Sequence, residues 1–337
     1  MVSFRGLGLS LSNEEAAPVT LALAQEADRL GFDEVSVPES RQFRSLFAVA
    51  GAVLATTSSI TLRVGIANPV TRHPAILAME AATLAELGRG RLRFGIGAAE
   101  WTMRHLGYAP PKWRPYTHTV ETLQALRRLL KGEQLGFNPT TFSGSSDTRL
   151  DFAPAWPVPL DVGAVNGRMM EAAGELADGV QLGALTSPGY VAWARQRIAT
   201  GARRAGRDPG ELLLAANVLT SIGPDRKEAR AAVRKVLAYY LYRVEGIVVE
   251  ASGADAEQRN AIRQKVSEDG VEAGARLVSD ALIDIFAVAG TVDEVVGGLR
   301  AFADAGLDMP LAWHTLGPDR EWALEALANE VRPALLR

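Results

Sequence analysis

The chain has 337 residues, 47% of them hydrophobic and 22% charged, with a net charge of −3; this is an ordinary globular composition with room for a large core. That charge gives no reason to expect nucleic acid or an anionic membrane surface as a partner. The absence of cysteine excludes disulfides, thiolate metal sites and cysteine nucleophiles.

Residues 1–5 carry no basic stretch leading into an apolar one, and no apolar run reaches transmembrane length, so a cytoplasmic protein without a membrane span is expected. Short apolar runs alternate with longer amphipathic ones. Residues 4–11 read as a strand and 18–30 as a helix, with Val19, Leu21, Leu23, Ala27 and Leu30 near helical spacing and Gly31 as a stop. Strand 34–37, helix 43–56, strand 61–66, helix 74–87 and strand 91–96 follow. A helix over 119–130 leads into an insertion at 132–159, rich in Gly, Ser, Thr and Pro, which predicts a loop or hairpin over one mouth. Strands at 160–164, 179–182 and 213–221 alternate with helices at 168–177 and 190–205. A second insertion, 226–286, reads as helical. Leu237, Tyr239, Tyr240, Leu241 and Tyr242 would expose a large apolar surface there, suited to capping a site or joining a partner subunit. Thr291 and Glu294 have the spacing of a capping box, 311–313 is the last strand, and 319–336 the closing helix. Eight strands, mostly each followed by a helix, predict an α/β protein. The favoured arrangement is a (β/α)8 TIM barrel, one domain over 1–337, with insertions after strands 4 and 7. A doubly wound open sheet is the competing arrangement.

Candidate chemistry gathers just beyond the strand ends, where a barrel places its active site. Gly95-Ile96-Gly97-Ala98-Ala99-Glu100 fails as a dinucleotide fingerprint, because Glu100 stands where the third glycine belongs. It reads either as a tight turn or as small residues that let the backbone approach a flat ring. In the second reading Glu100 is an acid whose desolvation by Trp101 would keep its proton available for donation. Asn68 opens the segment Asn68-Pro69-Val70-Thr71-Arg72-His73-Pro74. There Arg72 and His73 serve either as an ion pair and a helix-entry hydrogen bond, or as binders of an anionic or carbonyl group. Ala164-Val165-Asn166-Gly167-Arg168 ends a strand and begins a helix, a generic turn that would also cradle phosphate. Glu39 and Arg41 follow the second strand on the same side, as a solvated pair or as site residues. No histidine pair has metal-ligand spacing, and Gly-x-Ser-x-Gly is missing. The lack of a self-sufficient catalytic motif suggests that a bound cofactor carries the chemistry.

The ordered set of segments resembles the bacterial luciferase-like monooxygenase superfamily. It comprises Leu30-Gly31-Phe32-Asp33-Glu34-Val35, Val64-Gly65-Ile66 with Asn68-Pro69 and Thr71-Arg72-His73-Pro74, Phe94-Gly95-Ile96-Gly97, Ala173-Gly174-Glu175-Leu176-Ala177-Asp178-Gly179, and Gly290-Thr291-Val292-Asp293-Glu294-Val295 with Asp304-Ala305-Gly306. The Asn-Pro-x-Thr-Arg-His-Pro segment is most similar to the methylenetetrahydromethanopterin reductase-like branch, which uses the deazaflavin coenzyme F420. The resemblance implies a TIM barrel, a homodimer, and a deazaflavin or flavin at the C-terminal mouth. It implies a non-prolyl cis peptide at Gly65-Ile66 whose bulge backs the ring. It also implies ring contacts from Gly97, Ala98 and Ala99, an acid at Glu100, and Ala164, Val165, Asn166, Gly167 and Arg168 flanking the cofactor phosphate. Glu39 matches an acidic position after the second strand, although Ser40 stands where several relatives have His or Thr.

Three functions follow from this reading. The first is an F420-dependent oxidoreductase, moving a hydride between the deazaflavin C5 and an imine, enone or alcohol carbon of a small-molecule substrate. Glu100 would handle the proton, with Glu39 or His73 in reserve, and a separate reductase would regenerate the reduced cofactor. The second is an FMN-dependent two-component monooxygenase. The third is a non-catalytic barrel subunit or ligand-binding relative.

Overall fold

All strand pairs are parallel, and their neighbour order returns to its start. β1 (Gly8–Ser10), β2 (Glu34–Val37), β3 (Thr61–Ala67), β4 (Leu92–Ile96), β5 (Leu160–Gly163), β6 (Gly179–Leu182) and β7 (Leu213–Ile222) run in sequence order. A ninth strand, β9 (Met309–Leu316), pairs with both β7 and β1 and closes an eight-stranded barrel. The structure, a computed structural model, describes residues 4–40, 42–108 and 113–336. The expected TIM barrel is found. The strand missing from the sequence reading is β8 (Ala287–Gly290), which pairs with Leu219–Ile222 of β7 beyond the stretch that meets β6. Four small apolar residues between two helices show no period, so nothing in their pattern marks a strand.

The helices are α1 (Ala17–Leu30), α2 (Leu46–Thr56), α3 (Pro74–Leu87), α4 (Glu100–His105), α5 (Pro115–Leu129), α6 (Gly167–Leu176) and α7 (Pro188–Arg204). The late insertion folds into α8 (Arg226–Arg243), α9 (Gly246–Ala251), α10 (Ala256–Asp269), α11 (Val271–Ala275) and α12 (Asp280–Phe286). After β8 come α13 (Val292–Asp304), which opens with the expected capping box, and α14 (Arg320–Ala326). The expected apolar surface of α8 is corrected: Leu237 and Leu241 are fully buried in the core, and Tyr239, Tyr240 and Tyr242 are half-buried. Arg230 and Arg234 anchor this helix to Asp284 and Asp280 of α12. No described helix is long and apolar enough to cross a membrane.

The 132–159 insertion runs along the barrel wall, and its last residues, Pro157 to Pro159, reach the N-terminal mouth beside Arg93 and Leu213. Glu121 of α5 accepts from the amides of Thr140 and Thr141 at 2.9 Å, and His73 bonds the Ser143 carbonyl at 2.5 Å. The returning chain lays Trp156 against Gly90, at the opposite end of α3. The loop therefore climbs the outside of the barrel alongside α3 and α5.

Side chains alternate along each strand, so every second residue faces the barrel axis. Half-way down the axis sit charges in place of apolar residues. Arg63 of β3 is fully buried and bonds both Glu34 of β2 and Asp161 of β5, which are also buried. Arg93 of β4 reaches Asp161 at 3.0 Å. Burial pulls the Arg63 guanidinium down, and the two carboxylates more than restore it, so it stays charged. Two residues further along, toward the C-terminal mouth, the same strands carry Ser36, Gly65, Gly95 and Gly163. This layer of small residues leaves the mouth hollow.

Candidate active site

The hollow is a cavity of about 710 Å³ at the C-terminal ends of β3 to β7. Its floor is set by an irregularity in β3. The register against β4 shifts between Val64 and Ala67, and the Gly65-Ile66 peptide is cis, as expected. Ile66 then turns toward β4 and β5, where only glycines stand. A Cβ on Gly163 would lie 3.1 Å from the Ile66 side chain, one on Gly95 would lie 3.0 Å away, and one on Gly97 would collide with it. Gly65 is crowded in the same way, since a Cβ there would meet Ser36 and lie 2.5 Å from the Gln181 carboxamide oxygen.

The exit of β3 is tied down by polar bonds. The Asn68 amide donates to Glu39 at 2.7 Å, and its carboxamide donates to the Ala98 carbonyl at 3.0 Å. Arg72 pairs with Glu39 and Glu80, its guanidinium lying 4.5 Å over the Phe47 ring. Burial pushes the Glu80 carboxyl up, against the pull of Arg72. His73 caps α3: its Nδ1 accepts from the Ala75 amide at 3.1 Å. These bonds bear out the ion pair expected of Arg72 and the helix-entry hydrogen bond expected of His73, and they bear on the catalytic reading of Glu39 and His73. Neither Glu39 nor His73 lines the cavity, because the bulged strand end and the α3 N-terminus need their polar atoms for hydrogen bonds. Asn68, Gly97 and Gly167 likewise support the wall without lining it.

Of the remaining candidates, Gly65, Ile66, Ala98, Ala99, Glu100, Ala164, Val165, Asn166 and Arg168 do line the cavity. Ala99 has φ 44°, which swings the chain from β4 into α4. Glu100 sits at the rim with its side chain 48% exposed, and Arg104 bonds its Oε1 at 2.6 Å. The expected desolvation of Glu100 is thus not found; Arg41 and the side chain of Trp101 lie outside the described residues. Asn166 caps α6, accepting from the Met169 amide at 3.0 Å. Arg168 lies 3.9 Å over the Tyr116 ring. Tyr190 of α7 donates its hydroxyl to the Val165 carbonyl at 2.7 Å and holds this turn in place; burial pushes its phenol up.

Sequence reading missed Gln181 and Asn217, whose carboxamide oxygens are buried without a hydrogen-bond partner among the described residues. Their signal was a carboxamide within a strand core of apolar residues, Val180 and Leu182 around Gln181 and Ala216 and Val218 around Asn217. It also missed Tyr116 and Glu245, which reach the cavity from α5 and from the loop after α8; no strand pattern points to them.

The match to a family model decides the relationship: the luciferase-like monooxygenase model spans residues 1–309. The chain belongs to the luciferase-like monooxygenase family. A 5,10-methylenetetrahydromethanopterin reductase from Methanolobus tindarius is 31% identical over 314 residues, covering 91% of this chain and 94% of that protein. The solved structure of the coenzyme F420-dependent tetrahydromethanopterin reductase from Methanopyrus kandleri superposes with a TM-score of 0.89 at 27% identity, over 99% of both chains. A solved structure with FMN bound, the oxygenating constituent of 3,6-diketocamphane monooxygenase from Pseudomonas putida, reaches a TM-score of 0.72. It does so at 18% identity, over 99% of both chains, a likeness of fold alone.

Proposed function

We propose that this luciferase-like protein is a cytoplasmic F420-dependent oxidoreductase acting on a small organic molecule. The observation that carries the reading is the cavity floor. A bulge at Ile66 is cleared by three glycines, and the buried Gln181 oxygen beside it lacks a donor. A flat ring with N–H groups along one edge fits that surface and supplies the missing donor. The reductase names of the relatives support a deazaflavin over FMN.

When bound, the deazaflavin supplies or accepts a hydride at a ring carbon. The chain's own residues do the rest. Ile66 backs the ring, with Ala98 and Ala99 beside it. The α6 N-terminus, with Asn166, Gly167 and Arg168, holds the anionic part of the cofactor. Arg104 fixes Glu100 through Oε1, which leaves Oε2 as the atom that gives or takes the proton. Glu39 acts by positioning Asn68, and His73 by capping α3.

The protein works as a homodimer in this reading, and a separate reductase returns the cofactor to its reduced state. Support for the dimer lies on α2 and α3. α2 carries no charged residue, and Ile76, Met79 and Leu87 of α3 are 45%, 45% and 47% exposed. An apolar face of this kind marks a protein contact.

Side-by-side fluorescence titration of the purified protein with oxidised F420 and with FMN tests the cofactor. F420 binding at micromolar or tighter affinity, with little for FMN, is expected. A preference for FMN would sink the proposal.

A further inference from the structure

The polar groups of the cavity are sorted by side. Beyond β5 stand the α6 N-terminus and Arg168, the one described cation that lines the space. Beyond β7 stand Asn217, on the strand itself, and Glu245, between α8 and α9. The Asn217 carboxamide oxygen is buried with no hydrogen bond among the described residues. The Glu245 carboxylate makes no hydrogen bond or ion pair among the described residues, and it does not cap α9. Arg259 feels its charge, but spends its own donors on the carbonyls of Leu241 and Val244. Between the two sides lies Gly183, where an added Cβ would meet nothing within 4 Å. The β7 side is therefore roomy, negatively charged and short of donors.

We propose that this side of the cavity takes a nitrogen-bearing, N–H-donating or cationic group of the substrate, with Glu245 and Asn217 as its acceptors. The inference rests on the proposed function in assigning the Arg168 side to the anionic cofactor. A buried acceptor without a donor and a free carboxylate both gain from a ligand that brings N–H groups and positive charge. A carboxylate or phosphate ester placed there would face Glu245 directly and be repelled. Glu245 comes from the insertion and not from the barrel, so this selectivity can change without disturbing the ring site.

The probe is benzamidine, a planar cation with N–H donors, with benzoate as the anion of similar shape. Both are titrated calorimetrically into the full-length protein, with and without saturating F420, and into Glu245→Gln and Asn217→Leu. Benzamidine should bind at least about tenfold more tightly than benzoate, and each substitution should weaken it about tenfold. F420 affinity should stay unchanged in Glu245→Gln, an exposed position whose variant should melt like the parent. Benzoate binding as well as benzamidine, or benzamidine binding unaffected by Glu245→Gln, overturns the inference. F420 bound with no benzamidine uptake rejects this inference and leaves the cofactor reading standing. Benzamidine held in a Glu245-dependent way by a protein that ignores F420 upholds it and rejects the cofactor reading.

Discussion

Gln181 is a residue whose cost and use separate cleanly. Among the described residues its Oε1 is buried without a donor, while its Nε2 makes a long bond, 3.4 Å, to Ser36. An isolated buried acceptor destabilises a fold by about 1–3 kcal/mol, and an apolar side chain of similar size removes that cost. Gln181→Leu should therefore melt no lower than the parent without cofactor, yet bind F420 about tenfold more weakly. Differential scanning calorimetry and the fluorescence titration read the two effects separately; a fall in both would make Gln181 a plain structural residue. Glu100 carries the opposite lesson. The sequence places an acid beyond β4 beside a tryptophan, and that much holds. Its exposure and its Arg104 partner depend on α4, a six-residue helix with no apolar period to announce it.

Among the elements, the connections between α1, α2 and β3 hang on one carboxylate. Asp28 accepts from the amides of Ser58, Ser59 and Ile60 at 2.7–3.0 Å and from both serine hydroxyls. Partial burial pushes its carboxyl up, but the hydrogen bonds from Ser59, Ser58 and Ile60 outweigh this and hold it well below the usual carboxylate range. A depressed acid stabilises the fold fully above its unfolded pKa, near 3.9, and the contribution is lost as pH falls from there. The parent should thus lose stability below about pH 4, and Asp28→Asn should flatten that acid limb while lowering stability at neutral pH. Melting temperature against pH for the two proteins is the measurement, and parallel curves would refute the assignment. The 132–159 loop shows why element placement needed the fold. Its composition marks a loop, but its path along the barrel wall is chosen by Glu121 and His73, from other helices.

At the scale of the whole molecule, the barrel axis is bridged by Glu34, Arg63, Asp161 and Arg93. Removing Arg63 leaves Asp161 with Arg93 but takes the partner from the buried Glu34 carboxylate; breaking a buried pair in this way typically costs about 3–5 kcal/mol. Arg63→Met should lower unfolding stability by about that amount in a denaturant titration. A loss under about 1 kcal/mol would mean that Glu34 finds another partner. The proposed homodimer uses the outer face of α2 and α3. Charging it with Ile76→Asp and Met79→Asp together should give a folded monomer by sedimentation velocity. An unchanged dimer would move the interface elsewhere, and a monomeric parent would remove it altogether.

The sequence by itself determined the architecture, because alternating strand and helix periods, glycine stops and a capping box are local properties of the chain. It determined the family in the same way, through ordered segments that can be read without contacts. It also marked the glycine turn after β4 and the Asn166-Gly167 turn before α6, each written into a few consecutive residues, and through the family resemblance it implied the Gly65-Ile66 bulge. Only the tertiary structure decided that β9 closes the barrel while β8 stands beside it, since pairing partners lie far apart in the chain. Likewise only the fold turned Glu39 into a support, chose the helix-entry role of His73 and brought Gln181, Asn217, Tyr116 and Glu245 to one cavity. A side chain's role depends on what it faces, and these residues face groups that arrive from distant segments once the barrel closes.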